Sequence, residues 1–197
     1  MTARLSRRGL LRLGAGGGAV LLLPGGALTE KAAAATPPDG DLAYLRLLVG
    51  AELLAIDFHT RALARRKLGA ARTTFARALA DEKAHYAGLA RLLQNAGQPP
   101  AVAGDVDFVY PRGSFTTRRS IARLGSRIES LLLGAYLGAT ESVQTQELRL
   151  PIGRIAANEA QHVSALAPLL GKPMIGSAFP AALPISAASA ALDVFES

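Results

Sequence analysis

Two Glu-x-x-His motifs, Glu82-Lys83-Ala84-His85 and Glu159-Ala160-Gln161-His162, stand far apart in a chain of 197 residues. Residues three apart on a helix share a face, so each motif sets a carboxylate beside an imidazole. Two further acids keep a common interval: Glu52 precedes Glu82 by the same stretch of chain as Glu129 precedes Glu159. With eight Glu in the chain, two of three His carrying a Glu three positions before them is a chance of roughly 0.5%. The plainer alternative is a pair of exposed Glu–His contacts on helix surfaces. Carboxylate oxygens and imidazole nitrogens suit iron or manganese, with zinc able to substitute in vitro. The chemistry suggested is therefore a centre for two divalent ions.

Six such groups meet only if their helices turn the right faces to one another. At about 100° per residue, the face centred on Glu52 carries Leu45, Leu48, Val49, Ile56, His59 and Leu63. Glu82 and His85 share a face with Phe75, Leu79, Leu89 and Leu93, and Glu159 and His162 share one with Ile152, Ile155, Leu166 and Leu170. Glu129 lies among Ile121, Leu132, Leu133 and Tyr136. A buried carboxylate must be protonated, salt-bridged or bound to a cation. Basic residues lie mostly on other faces, so two divalent ions balance four carboxylates while neutral imidazoles complete the coordination.

The periodicity predicts four long helices, about 41–67, 69–95, 117–143 and 146–171, with no strand alternation anywhere. Short links make two helical hairpins, with Gly69 at the first. The stretch 97–115, with three prolines, joins them as a long crossover. The class is all-α: a four-helix bundle over 41–171 and a C-terminal extension over 172–197, peripheral and carrying a short helix near 186–195. A single offset along the chain superposes Glu52 on Glu129, Glu82 on Glu159 and His85 on His162. Nine of 23 positions match between 72–94 and 149–171, Arg72/Arg149 among them. The hairpins are thus approximate repeats.

Glu141 rivals Glu129 as the acid of the third helix, because a turn near 150 would bring it level with Glu159. The repeat selects Glu129, and Glu141 lies about 120° around the helix on a side with Arg123, Arg127 and Ser130. Pro151 is then an early-helix kink. His59 and Tyr136 each follow their Glu by seven positions. Each is either a hydrogen-bond partner or redox neighbour of the metals, or a core residue whose polar atom finds backbone or water. The second reading is the more economical.

Glu52, Glu82, His85, Glu129, Glu159 and His162 together resemble the di-metal motif of the ferritin-like superfamily. The segments LGAYLGA (133–139) and RIAANEAQH (154–162), behind the leader described next, resemble exported bacterial ferritin-like domain proteins. The resemblance covers about 41–171. It implies a di-iron carboxylate fold, with two Fe ions or Mn or mixed Fe/Mn as cofactors, used for oxygen, peroxide or iron chemistry.

The formal charge of +7 points at first to nucleic acid, but its location argues otherwise. Residues 1–35 hold five basic residues and one acid, leaving 17 basic and 14 acidic residues in the body. That near balance, with no Trp and 5% aromatics, disfavours nucleic-acid binding. Zero Cys excludes disulfides, thiolate zinc sites and Cys nucleophiles. In 1–35 a basic stretch precedes an apolar, Gly-rich run and a small-residue end, the layout of an export signal. Ser6-Arg7-Arg8-Gly9-Leu10-Leu11 resembles a twin-arginine (Tat) signal. The alternative is a membrane anchor, though the run is shorter than the ~20 residues of a span.

The leading expectation is an exported metal-dependent redox protein of the periplasm, cell envelope or extracellular space, acting on iron, O₂ or peroxide, because no substrate pocket is legible. Its partners are metal ions, the Tat translocase during export and further copies in a homo-oligomer. A second reading is a non-catalytic envelope protein whose metal is structural or absent, bound through its crossover and tail. The basic clusters Arg65-Arg66-Lys67 and Arg118-Arg119 read as solvated helix-end charges. A third reading makes them binders of an anionic envelope surface, to which the small body charge lends little support.

Overall fold

The structure, a computed structural model, describes residues 36–178 and 180–197. The leader expected over 1–35, and Phe179 of the tail, lie outside the described residues. Four long helices, α1 (Asp39–Leu63), α2 (Arg72–Asn95), α3 (Arg118–Ser142) and α4 (Gln146–Leu166), are followed by the short α5 (Ile185–Asp193). α1 packs along α2 and α3 along α4, and the two hairpins meet chiefly through α1 and α3. The apolar stripes read from the sequence form the core: Leu45, Leu48, Phe75, Leu89, Leu93, Ile121, Leu132 and Ile152 are fully buried. Among the described residues the extended pairing is one isolated antiparallel bridge, Phe108 to Glu196. No described helix is long and apolar enough to cross a membrane.

The first hairpin turns earlier than the periodicity predicts. α1 stops at Leu63, and residues Arg66–Ala71 form a 3₁₀ turn in which Gly69 takes φ 56°. That angle suits glycine, and the turn buries Leu68 completely. The repeated pair Arg72/Arg149 closes both hairpins. Arg72 donates from Nη1 to the Leu63 carbonyl (2.8 Å) at the end of α1, and Arg149 donates from Nε and Nη2 to the Val143 carbonyl (3.1 and 3.0 Å) after α3. Carbonyls at a helix end lack intrahelical partners, and a guanidinium also suits the negative end of the dipole. α4 runs on through Pro151 in its second turn; its last predicted turn is a 3₁₀ segment, Ala167–Leu170, that ends at left-handed Gly171.

Asp41 ties the two hairpins at the opposite end. It is 2% exposed, and its carboxylate accepts from the backbone N–H of Gln144 (2.9 Å) and Thr145 (2.8 Å) in the α3–α4 turn. Burial raises its pKa, but bonds from the Thr145 side chain and those two N–H groups, with the Arg149 charge, hold it below 3.8. The C-terminal arm is more deeply built in than a peripheral extension would be. Ala188, Leu192 and Phe195 are fully buried, and Val109 N–H donates to the Phe195 carbonyl (2.8 Å). The arm lies on α3 through a notch of two glycines. Leu183 N–H donates to the Gly134 carbonyl (2.8 Å), and a Cβ at Gly138 would run into the Leu183 carbonyl.

Two outcomes test these joints. A depressed carboxylate pKa contributes stability that is complete above 3.8 and is lost as pH falls through the folded value. Asp41→Ala should therefore lose roughly 2–4 kcal/mol at pH 7 in urea unfolding, and the gap to wild type should shrink on acidification below pH 4. A pH-independent gap would contradict the assignment. Gly138→Ala should strip hydrogen-exchange protection from the Leu183 amide by roughly tenfold or more while amides inside α1 and α2 keep theirs.

Candidate metal centre

Each bundle helix carries one glutamate into the middle of the core. Glu52 on α1, Glu82 on α2, Glu129 on α3 and Glu159 on α4 are all fully buried, with His162 7% exposed. The oxygens and nitrogens fall into two groups, Glu52–Glu82–His85–Glu159 and Glu82–Glu129–Glu159–His162, within each of which one donor atom per residue lies within 4.8 Å of the others. Glu82 and Glu159 belong to both groups. Glu52 with His85 and Glu129 with His162 complete them on opposite sides, so the repeat in the sequence becomes a two-fold arrangement of donors. Glu129, and not Glu141, faces this cluster; Glu141 is exposed.

The imidazoles point inward through Nδ1. His85 Nδ1 lies 3.1 Å from Glu159 Oε1, 3.2 Å from Glu82 Oε2 and 3.7 Å from Glu52 Oε1. His162 Nδ1 lies 2.9 Å from Glu82 Oε1, 3.4 Å from Glu129 Oε2 and 3.6 Å from Glu159 Oε2. The residues that follow the two terminal acids by seven positions cross between hairpins. His59 on α1 donates from Nε2 to Glu129 Oε1 on α3 (2.6 Å), and Tyr136 on α3 donates its O–H to Glu52 on α1. Their polar atoms thus meet carboxylates and not the backbone or water that the economical reading supplied. The i-to-i+7 spacing placed both on the right face, but each partner comes from the other hairpin, remote in sequence.

Electrostatics bind the cluster together by its protons. Burial lowers an imidazole pKa, but Glu159, Glu52 and Glu82 around His85 outweigh it and lift the value to about 12. His162 is likewise raised, against burial, by Glu129, Glu159 and Glu82. Glu82 is depressed despite burial because both histidines bond to it, and Glu129 is depressed by His162 and His59 against burial and the Glu82 charge. Burial pushes Glu52 well up. Burial and the charges of Glu82 and Glu129 lift Glu159 to about 7, against the bonds from His162 and His85. Beyond these ion-pair approaches within the cluster, Glu52 Oε2, Glu82 Oε1, Glu129 Oε2, both Glu159 oxygens and both His162 nitrogens have no hydrogen-bond partner. Buried polar atoms left unpaired are rare. Carboxylate oxygens and inward imidazole nitrogens gathered in two groups are the donor chemistry that a pair of divalent cations satisfies.

No pocket is legible in the sequence, and the structure has one. A cavity of about 330 Å³ between α2 and α4 ends on His59, Glu129 and His162. Asp81 and Asn158, each one position before a cluster glutamate, line it. Asp81 Oδ2 lies 3.5 Å from His162 Nε2 and accepts from Arg77 Nε (3.1 Å). The sequence signal for Asp81 was its i-to-i+4 pairing with Arg77 next to the motif.

Set beside known proteins, residues 40–172 match the sequence profile of the ferritin-like domain. Among curated proteins none matches the chain. The crystal structure of hypothetical protein MJ0754 from Methanococcus jannaschii DSM 2661 has a similar fold, with a TM-score of 0.57 at 15% identity over 88% of this chain and 98% of that one. That likeness concerns the fold alone.

Metal ligation requires deprotonated groups, so cations compete with the protons on His85, His162, Glu52 and Glu159. At pH 6, loading should release two or more protons per pair of ions, read by calorimetry in buffers of different ionisation enthalpy. Apparent affinity should rise with pH. Metal uptake without proton release would place the ions elsewhere.

Proposed function

The chain belongs to the ferritin-like domain family, and from its four buried glutamates and convergent histidines we propose that it holds a pair of iron ions and performs iron, dioxygen or peroxide redox chemistry in the cell envelope. The observation that carries this reading is the set of orphaned donors shared between two positions. Glu82 and Glu159 would serve both ions, with Glu52 and His85 helping to hold one and Glu129 and His162 the other. Manganese or a mixed pair fits the same donors. Bound iron would supply electrons to a small oxidant.

The chain's own residues set the conditions. Tyr136 and His59 hold one oxygen of Glu52 and Glu129, which fixes the direction of the other. Phe75 and Leu166 wall the cavity next to His162 and limit how much water reaches the donors. The cavity admits a small molecule to the Glu129–His162 side. The leader's basic, Gly-rich layout supports export and an envelope location. A second reading, in which the ions are structural or absent, draws on the same geometry, because protonated His85 and His162 already pair with the carboxylates.

Elemental analysis and anaerobic iron loading separate the two. Protein recovered after export should carry about two irons per chain and change absorbance on exposure to dioxygen or peroxide. Glu82→Ala and Glu159→Ala should lose the metal, while Glu141→Ala keeps it. A metal-free wild type as stable and helical as the iron-soaked protein would overturn the redox reading, and metal bound without any response to oxidant would leave the structural one.

A further inference from the structure

The topology brings together basic residues that are far apart in sequence. α1 ends at Arg61–Leu63, α3 begins at Arg118, and the last part of the crossover, Tyr110–Thr117, lies between them. Two pockets open side by side there and share the turn Pro111–Ser114. The first, about 350 Å³, is walled by Arg61, Arg65 and Arg112; the second, about 310 Å³, by Arg112, Arg123 and Arg127. Neither wall contains an Asp or Glu. Of the five guanidiniums, Arg61 is committed to Asp57 (2.8 Å). Arg65, Arg112, Arg123 and Arg127 are exposed, and no carboxylate among the described residues pairs with them.

Three of the five are also held in place. Arg61 lies over the Tyr110 ring at 5.2 Å, Arg65 over Phe115 at 5.8 Å and Arg127 over Phe195 at 5.3 Å. Stacking on a ring orders a long side chain while leaving the guanidinium edge free to donate. Tyr110 meets Phe115 edge to face at 5.2 Å and Phe195 at a tilt at 6.0 Å, so the aromatic base beneath the arginines is continuous. The positive φ of Gly113, 83°, forms the turn that both pockets share. A solvated helix-end charge needs none of this scaffolding. Four unpaired like charges on one small surface repel one another until an anion neutralises them.

We propose that the crossover end of the bundle binds phosphate-bearing anions, seated in the two adjoining pockets and held by Arg65, Arg112, Arg123 and Arg127. The planar guanidinium fork matches the oxygens of a phosphate. Arg112 on the shared turn lets one ligand with two phosphates, or two neighbouring headgroups, engage both pockets. The site is separate from the glutamate cluster and does not depend on metal.

The test titrates the full chain with inorganic pyrophosphate by calorimetry at low ionic strength, and sediments it with phosphatidylglycerol or phosphatidylcholine vesicles. The paired variants Arg65→Glu/Arg112→Glu and Arg123→Glu/Arg127→Glu should each weaken binding by roughly tenfold or more. The control Arg91→Glu/Arg154→Glu makes the same charge change on exposed faces of α2 and α4 and should stay within about twofold, the residual long-range effect of net charge. Pyrophosphate binding without vesicle binding assigns a free phosphate ligand, and selective binding to phosphatidylglycerol assigns a lipid headgroup. If a glutamate pair loses its helical circular dichroism, Arg65→Gln/Arg112→Gln replaces it. Failure of the wild type to bind either probe, or an equal loss in the control, would overturn the proposal.

Discussion

Four carboxylates in the centre of a small helical core are the constraint to which the rest of this fold answers. Each would be strongly unfavourable alone, so their positions are fixed relative to one another more tightly than any apolar contact requires. One must come from each helix, at one level, with an imidazole beside two of them. Glu82 and Glu159 serve both halves of the cluster, which forces α2 and α4 to approach across the bundle even though they share little other packing. The apolar shell of Leu45, Phe75, Leu89 and Ile121 then fills the levels around the cluster. Its burial drives collapse but does not by itself choose which faces meet.

The two hairpins answer this constraint with the same acids and histidines inside and with different contacts outside. Positions related by the repeat carry the same acids, the same histidines and the same turn-closing arginine. On the outer face of α1, Asp57 and Arg61 form an ion pair, and Asp57 accepts from Tyr110 of the crossover at 2.7 Å. The corresponding positions on α3 are Gly134 and Gly138, where the arm lies against the helix backbone. Each hairpin is therefore covered by a different stretch of non-repeated chain: one docks through charge, the other through the absence of side chains. Val109 and Phe195 then join crossover to arm. The repeat could diverge on its outer face because the cluster places no demand there.

What was legible in the sequence follows the range of the interactions. Glu-x-x-His, the apolar stripes and the repeat are local patterns read along one helix, and the structure keeps them. The offset of the repeat distinguished buried Glu129 from exposed Glu141 because the placement of the cluster acids recurs with the hairpin. Gly69 was read as the link, but the length of the turn was not, since burial of Leu68 decides where α1 stops. The crossed bonds of His59 and Tyr136 were not legible as such, because each partner belongs to the other hairpin. Gly134 and Gly138 read as ordinary helix residues until the arm is seen against them. The cavity was invisible for the same reason: its walls come from α1, α2, α3 and α4 at once.

The departure from two-fold symmetry within the core has a direction. His59 and Tyr136 occupy equivalent positions, yet they differ in what they can do with a proton. Burial raises the pKa of Tyr136 well above its ordinary value, so it stays a neutral donor to Glu52. An imidazole can donate from either nitrogen, and His59 holds Glu129 from Nε2. The cavity ends on His59, Glu129 and His162, and its walls include neither Tyr136, Glu52 nor His85. Asp81 backs His162 on that side, and Asp81 is itself fixed by Arg77. The half of the cluster held by an imidazole is thus the half that a molecule in the cavity meets, while the other half is tied by the Tyr136 phenol. Identical donors on a repeated scaffold become two different chemical positions through one His-for-Tyr exchange and one opening between helices.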